Sequence, residues 1–145
     1  MSKLCLLCKL NDEDYAYASY SFYKTFEEAK QAAIKSCKDW EEDCNIDIED
    51  DGCRITARYA DSFYVTEIKQ VCSECGTHLL LWHHGYDGVD FECRFQGTHE
   101  ECKREMKNEI AKLVDDLELI DEDISNNVID TGAEWEVFDI VEIRE

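Results

Sequence analysis

Two segments of the chain place apolar residues at spacings of three and four, the pattern of an amphipathic helix. In the first segment these residues are Phe26, Ala29, Ala33, Cys37, Trp40 and Cys44. In the second they are Cys102, Met106, Ile110, Leu113 and Leu117. Each segment follows a threonine, Thr25 or Thr98, with a glutamate three residues on, which is the sequence of a helix capping box. We therefore predict one helix in each half of the chain.

Apolar runs bounded by polar or glycine-containing turns predict β-strands on both sides of each helix. The runs of the first half are 4–10, 15–23, 53–59 and 63–71. Those of the second half are 78–84, 89–95, 127–130 and 135–143. Because a helix with one apolar stripe needs a sheet to cover, we expect an α+β fold with helices packed on antiparallel sheet.

The order of these elements repeats, which indicates an internal duplication. Thr25–Lys30 is echoed by Thr98–Lys103, and Phe63–Lys69 by Phe138–Arg144, at almost the same displacement. The sequence therefore predicts tandem ββαββ units over residues 1–71 and 72–145. Since there is no proline and no linker rich in glycine and serine, we expect the two units to pack as one compact body.

The charge of the chain is strongly one-sided. Lys and Arg number 15 against 35 Asp and Glu, which gives a formal net charge of −20. Such a surface repels nucleic acid and anionic lipid and attracts proteins rich in lysine and arginine. The expected partner is a basic protein; the alternative is that the charge only keeps a small protein soluble.

Location follows from the apolar runs and the cysteines. The run at the N-terminus is too short for a signal peptide, and no segment reaches the ~18 apolar residues of a membrane span. We therefore expect a cytoplasmic protein, in the bacterial host if the chain is encoded by a phage. In that compartment the 9 cysteines are expected to be metal ligands or buried thiols rather than disulfides.

Two Cys-x-x-Cys pairs predict a metal site. One turn can direct both sulfurs of such a pair at a single tetrahedral ion, and two pairs close the coordination shell of a structural zinc. The four predicted ligands are Cys5, Cys8, Cys72 and Cys75. The second pair, with Gly76 after it, resembles half of a zinc ribbon. In the alternative reading Cys5 and Cys8 are core residues of a strand.

Other groupings of histidine and cysteine are weaker. His78 follows Cys75 closely enough to replace a missing thiolate. A second group, Cys93, His99 and Cys102, has a core-packing interpretation because Cys102 lies on the helix stripe. The adjacent His83 and His84 suggest a hydrolytic metal site, but neighbouring strand residues point to opposite faces. With no known catalytic motif, we expect a protein that is not an enzyme, and a metal-dependent hydrolase is the least favoured alternative.

Acidic residues cluster after each predicted helix and in the loop beyond it. The cluster of the first half comprises Glu41, Glu42, Asp43, Asp47, Glu49, Asp50 and Asp51. The cluster of the second half comprises Asp115, Asp116, Glu118, Asp121, Glu122 and Asp123. Carboxylates at a helix C-terminus oppose the helix dipole, so helix stability does not account for them. The first cluster also lacks the twelve-residue loop of a calcium site. We therefore predict that both clusters form a docking surface for a basic groove.

In its acidity, small size and lack of an enzyme motif, the chain resembles the phage-encoded anti-CRISPR proteins. The resemblance implies a zinc-containing inhibitor that binds a CRISPR type II effector nuclease and blocks its access to DNA. In that reading the acidic clusters mimic nucleic-acid phosphates in a positively charged channel. The alternative is a cytosolic adaptor or regulatory protein held together by zinc.

Overall fold

The computed structural model of the protein describes most of the chain as two compact units. The described residues are 3–11, 14–40, 45–49, 52–59, 62–72, 75–85, 90–121, 124–125, 127–131 and 135–144. The first unit comprises Met1–Ser73 with Arg144–Glu145, and the second comprises Glu74–Ile143. The sequence prediction placed its boundary between residues 71 and 72.

The first unit is a five-stranded antiparallel sheet with one helix. Its elements in chain order are β1 (Lys3–Asn11), β2 (Asp14–Tyr23), α1 (Phe26–Trp40), β3 (Asn45–Glu49), β4 (Arg54–Tyr59) and β5 (Ser62–Cys72). The strand order is β2-β1-β5-β4-β3. The first strand therefore pairs with the last, in a register that runs from Lys3 opposite Cys72 to Asn11 opposite Tyr64.

The second unit repeats this topology. Its elements are β6 (His78–Gly85), β7 (Asp90–Gly97), α2 (His99–Leu117), β8 (Ile124–Ser125), β9 (Val128–Asp130) and β10 (Trp135–Glu142). The strand order is β7-β6-β10-β9-β8. Again the first strand of the unit pairs with the last, from Glu142 opposite His78 to Trp135 opposite Gly85.

The predicted α+β class is confirmed, with two helices and two antiparallel sheets in the described part of the chain. The predicted units had two strands after each helix, whereas the structure has three, so each unit is ββαβββ. The additional strands are β3 and β8, at one edge of each sheet. Ile46 and Ile48 do alternate with acidic residues in β3, but the acidic composition favoured a loop interpretation.

The cores of both units use the predicted helix stripes. In the first unit Ala29, Ala33 and Cys37 of α1 are buried against strand residues that include Cys5 and Ile55. In the second unit the buried cluster comprises Leu80, Cys102, Ile129 and Phe138, with Met106, Ile110 and Leu113 packed against it. Ala29 of α1 and Cys102 of α2 are both fully buried. Each side chain, a methyl group in α1 and a thiol in α2, packs in the core of its own unit.

The predicted capping box is present at the start of α2. The backbone N–H of Glu101 donates to Oγ1 of Thr98 at 3.1 Å, and the backbone N–H of Thr98 donates to Oε1 of Glu101 at 3.0 Å. The bond from the backbone N–H of Thr98, with a further one from its side chain, lowers the pKa of the Glu101 carboxyl because it favours the ionised form. At the start of α1 the backbone N–H of Glu28 donates to Oγ1 of Thr25 at 3.1 Å.

Within the described residues, no helix is long and apolar enough to cross a membrane.

Candidate functional site

The acidic segment at the end of α2 forms an exposed patch in the second unit. We define the α2 acidic patch as Asp115, Asp116, Leu117, Glu118, Ile120 and Asp121, all of which are exposed. The patch includes four of the six carboxylates that the sequence predicted for this cluster. The other two, Glu122 and Asp123, lie outside the described residues.

The patch also exposes two large apolar side chains. Leu117 is 49% exposed and Ile120 is 60% exposed. The sequence prediction placed Leu117 on the buried stripe of α2, and this was wrong because the stripe ends at Leu113 and the helix ends at Leu117. Leu119, between the exposed residues, packs against the core of the unit. The chain therefore anchors this segment through Leu119 and leaves its two apolar neighbours in solvent.

At the end of α2 an acidic residue holds a strained backbone conformation. Glu118 adopts a left-handed conformation with φ 51° and ψ 45°, and no basic residue occupies the last helical turn. Glycine is the usual residue at such a position because it has no Cβ penalty. A carboxylate at a helix C-terminus also faces the negative end of the helix dipole. Glu118 therefore opposes stability in two independent ways.

The acidic cluster of the first unit lies partly on a strand. Asp47 and Glu49 are exposed on β3, whereas the sequence prediction had assigned this segment to a loop. Ile48, between them, is 48% exposed. The remaining predicted members, Glu41, Glu42, Asp43, Asp50 and Asp51, lie outside the described residues. Among described residues the large hydrophobic side chains that are exposed, Ile48, Leu117 and Ile120, all fall within the predicted acidic clusters.

The four cysteines predicted to bind zinc are placed as follows. Cys5 and Cys8 are both buried in β1, and Cys75 is exposed in the second unit. Cys72 is the last residue of β5, and its side chain lies outside the described part of the structure. Residues three apart in a strand point to opposite faces of the sheet. The sulfurs of Cys5 and Cys8 therefore leave β1 on opposite sides, which does not match the convergent turn that the prediction assumed.

The surroundings of Cys5 are those of a core residue. It packs in the cluster that α1 covers, and burial raises the pKa of its thiol, with a further increase from Cys53. Metal binding requires the thiolate, which a raised pKa disfavours. Within the described residues there is no group of three or more His, Cys, Asp or Glu side chains arranged to hold a metal ion. Zinc binding by the four cysteines stays a prediction.

The described histidines of the second unit differ in burial and in the residues that they contact. His83 is buried in β6, and the side chain of His84 lies outside the described residues. His78 and His99 contact each other in a T-shaped arrangement, with 5.3 Å between ring centroids. Nδ1 of His78 also lies 2.9 Å from Oγ1 of Thr77. Cys102, from the second weaker grouping, is fully buried in the core, as its helix position indicated.

A cleft beside α2 was not foreseen from the sequence. It is lined by Trp82, Arg94, Glu109, Lys112, Leu113, Asp116, Glu136 and Phe138 and has a volume of about 190 Å³. The register of β6 and β7 shifts between Leu80 and Leu81, where Arg94 is the extra residue of a β-bulge. A bulge redirects the side chain at that position, and here it accounts for the contact of Arg94 with α2. In the sequence, the only sign of this bulge is that Arg94 interrupts the alternation of apolar residues.

Arg94 holds the cleft together. Its guanidinium lies 4.3 Å from the centroid of the Trp82 ring, 3.3 Å from Oε1 of Glu109 and 3.5 Å from Oε1 of Glu92. The cleft is below the ~300–1,000 Å³ of typical small-molecule sites. Its chemistry is therefore that of a partly exposed ion-pair and cation–π network joining β6, β7 and α2.

Negative charge accumulates around Glu109. Burial raises the pKa of the Glu109 carboxyl; Arg94 lowers it, and Glu105, Glu92 and Glu136 raise it. The net direction is upward, so the single guanidinium does not fully compensate the burial of Glu109 and the surrounding carboxylates. The excess negative charge of the chain thus extends into this partly buried network.

Comparison with family models, with curated proteins and with solved structures finds no match to the chain.

We expect Glu109→Gln to change how stability depends on pH. With its folded-state pKa raised above the ordinary 4.5, Glu109 makes the folded protein bind more protons than the unfolded chain just above that pH. The contribution of Glu109 to the stability of the folded state is therefore fully present below pH 4.5. This contribution is lost as the pH rises through the folded-state pKa. Denaturant unfolding at a series of pH values should show the variant gaining stability relative to wild type as the pH rises. Glu100→Gln, at an exposed carboxylate, is the control, and a pH-independent difference for Glu109→Gln would contradict this account.

Zinc content and thermal melting of Cys75→Ser and Cys8→Ser separate the two interpretations of the cysteines. The sequence prediction expects about one zinc per chain, released by Cys75→Ser, with a lower melting temperature. From the opposed directions of Cys5 and Cys8 we expect instead that Cys75→Ser leaves metal content and melting unchanged, because Cys75 is exposed. Cys8→Ser should lower the melting temperature, because it buries a hydroxyl. Loss of a bound zinc in Cys75→Ser, measured by mass spectrometry, would overturn this expectation.

Proposed function

We propose that the chain is a non-catalytic inhibitor that docks on a basic, nucleic-acid-binding surface of another protein and blocks its access to DNA. The observation that carries the proposal is the coincidence of exposed apolar side chains with carboxylates in the α2 acidic patch. Leu117 and Ile120 lie in solvent among Asp115, Asp116 and Glu118. Protein interfaces combine apolar contacts at their centre with charged groups that select the partner.

The sign of the charge selects the class of partner. With a net charge of −20, the chain repels nucleic acid and anionic membranes and is attracted to a surface rich in lysine and arginine. Proteins that bind nucleic acid carry such surfaces along the path of the phosphates. Carboxylates of the patch would occupy the positions of phosphates, while Leu117 and Ile120 would contact apolar residues beside that path.

The cost of the patch to the fold supports a role in binding. Two acidic residues of the patch lie in the last turn of α2 and two follow it, and Glu118 holds a backbone conformation that glycine would adopt without strain. Strained conformations persist where function requires them or where the surroundings enforce them. A purely solubilising role does not explain why two large apolar side chains accompany the carboxylates.

A CRISPR type II effector nuclease is the partner we put forward for testing. The choice follows from the resemblance to phage-encoded anti-CRISPR proteins in overall character and from the basic channel in which such nucleases hold nucleic acid. The carboxylates of both clusters and the two apolar residues of the α2 acidic patch are the proposed contacts. The zinc-dependent adaptor remains the alternative, and the two differ in whether target DNA competes with the chain for its partner.

A titration of nuclease activity against the chain tests the proposal. We expect inhibition that saturates at a fixed molar ratio, weakens as salt rises and is relieved by excess target DNA, because both surfaces are charged and exposed. Combined Asp115→Lys and Asp116→Lys replacement should weaken inhibition roughly tenfold or more, since it replaces attraction with repulsion at the contact. Glu27→Lys with Glu28→Lys makes the same change in net charge on α1 and is the matched control.

Three outcomes would contradict the proposal. A panel of effector nucleases that is neither bound nor inhibited at low salt would remove the partner class. Equal weakening by the α1 control and the α2 variant would show that net charge acts without a docking patch. Progressive inactivation at substoichiometric amounts would indicate an enzyme instead of a binder.

A further inference from the structure

The outer strand β3 of the first unit offers an open sheet edge. Among the described residues it is paired on one side only, with β4, in a register that runs from Asn45 opposite Arg58 to Glu49 opposite Arg54. Four of its five residues are exposed, and Ile46 alone is half-buried. A strand at the edge of a sheet carries N–H and C=O groups that can pair with an added strand.

The corresponding edge of the second unit differs. Among the described residues its outer strand β8 comprises Ile124–Ser125, whereas β3 comprises five residues. Very short edge strands are one way in which proteins avoid pairing with other chains. In the described part of the chain, β3 is therefore the longer of these two corresponding edges.

The two faces of β3 carry different chemistry. Side chains alternate along a strand, so Asp47 and Glu49 lie on one face while Ile46 and Ile48 lie on the other. Ile46 packs into the core of the first unit, whereas Ile48 is 48% exposed. An added strand would therefore meet two carboxylates on one face, of which Glu49 also lies opposite Arg54 of β4, and a partly covered apolar side chain on the other.

The charges on β3 disfavour a second copy of the chain as the added strand. Antiparallel pairing with Ile46 opposite Ile48 places Asp47 opposite Asp47, and pairing with Ile48 opposite Ile48 places Asp47 opposite Glu49. Like charges directly opposite each other on neighbouring strands are destabilising, and opposite charges are stabilising. These registers are therefore disfavoured for a second copy, and the edge favours a strand that carries lysine or arginine at alternate positions.

We propose that β3 binds an extended segment of a basic partner by strand addition, with lysine or arginine opposite Asp47 and Glu49 and apolar residues beside Ile48. Backbone hydrogen bonds to the edge supply affinity, and the alternating side chains supply specificity. The inference rests on the proposed function in that the partner is basic, and it adds a second contact with a defined backbone conformation. It requires the partner segment to be a strand, which docking on the α2 acidic patch does not.

The test compares two synthetic peptides of identical composition. One alternates lysine and valine, and the other carries its lysines in one block and its valines in another. We expect only the alternating peptide to bind well in calorimetric titration and to protect the backbone amides of residues 45–49 from hydrogen exchange. We expect the alternating peptide to bind with roughly tenfold higher affinity, because it forms two cross-strand charge pairs with β3. The blocked peptide cannot place lysines opposite both carboxylates while it pairs along the strand.

A variant in which the charges of β3 are reversed tests the proposed charge pairs. Asp47→Lys with Glu49→Lys should abolish binding of the alternating lysine peptide and create binding of a peptide that alternates glutamate and valine. Glu27→Lys with Glu28→Lys, which changes net charge equally on α1, should leave the preference for the alternating peptide intact. Asp47→Asn with Glu49→Gln should weaken binding by a smaller factor, and circular dichroism of each variant verifies that the sheet is formed.

The outcomes separate this inference from the proposed function. Equal binding of both peptides, absence of amide protection in residues 45–49, or failure of the charge exchange would overturn strand addition. If the nuclease is nevertheless inhibited and inhibition depends on Asp115 and Asp116, the proposed function stands without β3. If the alternating peptide binds at β3 but no nuclease is inhibited, strand addition stands and the proposed partner is wrong.

Discussion

Each unit of the protein depends on the pairing of its first strand with its last. β1 pairs with β5 over nine positions, and β6 pairs with β10 over eight. These ladders lie at the centre of their sheets, and each joins residues about sixty positions apart in the chain. The helix of each unit covers the sheet whose centre the ladder forms, so the apolar stripes of α1 and α2 have a surface to bury against only once the ladder exists.

This arrangement leaves charge to the periphery of each sheet. The α2 acidic patch lies at the C-terminal end of the helix, and the carboxylates of β3 lie on an edge strand, so neither set disturbs a central ladder. A chain with a net charge of −20 still experiences repulsion among its own carboxylates. The pKa of Glu109 is raised first by burial, and Glu105, Glu92 and Glu136 raise it further. Arg94 offsets part of it from the bulge in β7.

The placement of exposed apolar residues gives the charge a functional meaning. Ile48, Leu117 and Ile120 are in the acidic segments of two different units, and each is flanked by residues that anchor its segment to a core, Ile46 in one and Leu119 in the other. A basic surface with apolar residues beside it satisfies both features. The proposed inhibitor and the proposed strand addition use these segments in different ways.

Much of the fold could be predicted from periodicity. The threonine caps, the helix stripes and the hairpins before each helix follow from local sequence, and they define the α+β class. β3 was missed because Ile46 and Ile48 are outnumbered by charged neighbours, and an edge strand needs only one partner strand to form. Leu117 was misassigned because periodicity does not show where the sheet beneath a helix ends.

The site was harder to predict than the fold. Both acidic clusters could be located from composition, but the exposure of the apolar residues within them depends on tertiary packing. The spacing of Cys5 and Cys8 suits either a turn or a strand, and only the pairing of β1 with both neighbours shows the strand. Arg94 reaches Glu109 through a bulge, which is a deviation from the alternation on which sequence reasoning depends.

The central claim is that the α2 acidic patch is kept at a cost to stability because it binds a partner. Replacement of Glu118 by glycine tests this directly, with the free energy of unfolding and the affinity for an inhibited nuclease measured on the same protein. Relief of the left-handed strain and of the dipole repulsion should increase stability by about 1 kcal/mol, and loss of the carboxylate should weaken binding. A variant that is more stable and binds the nuclease as tightly as the wild type would contradict the account.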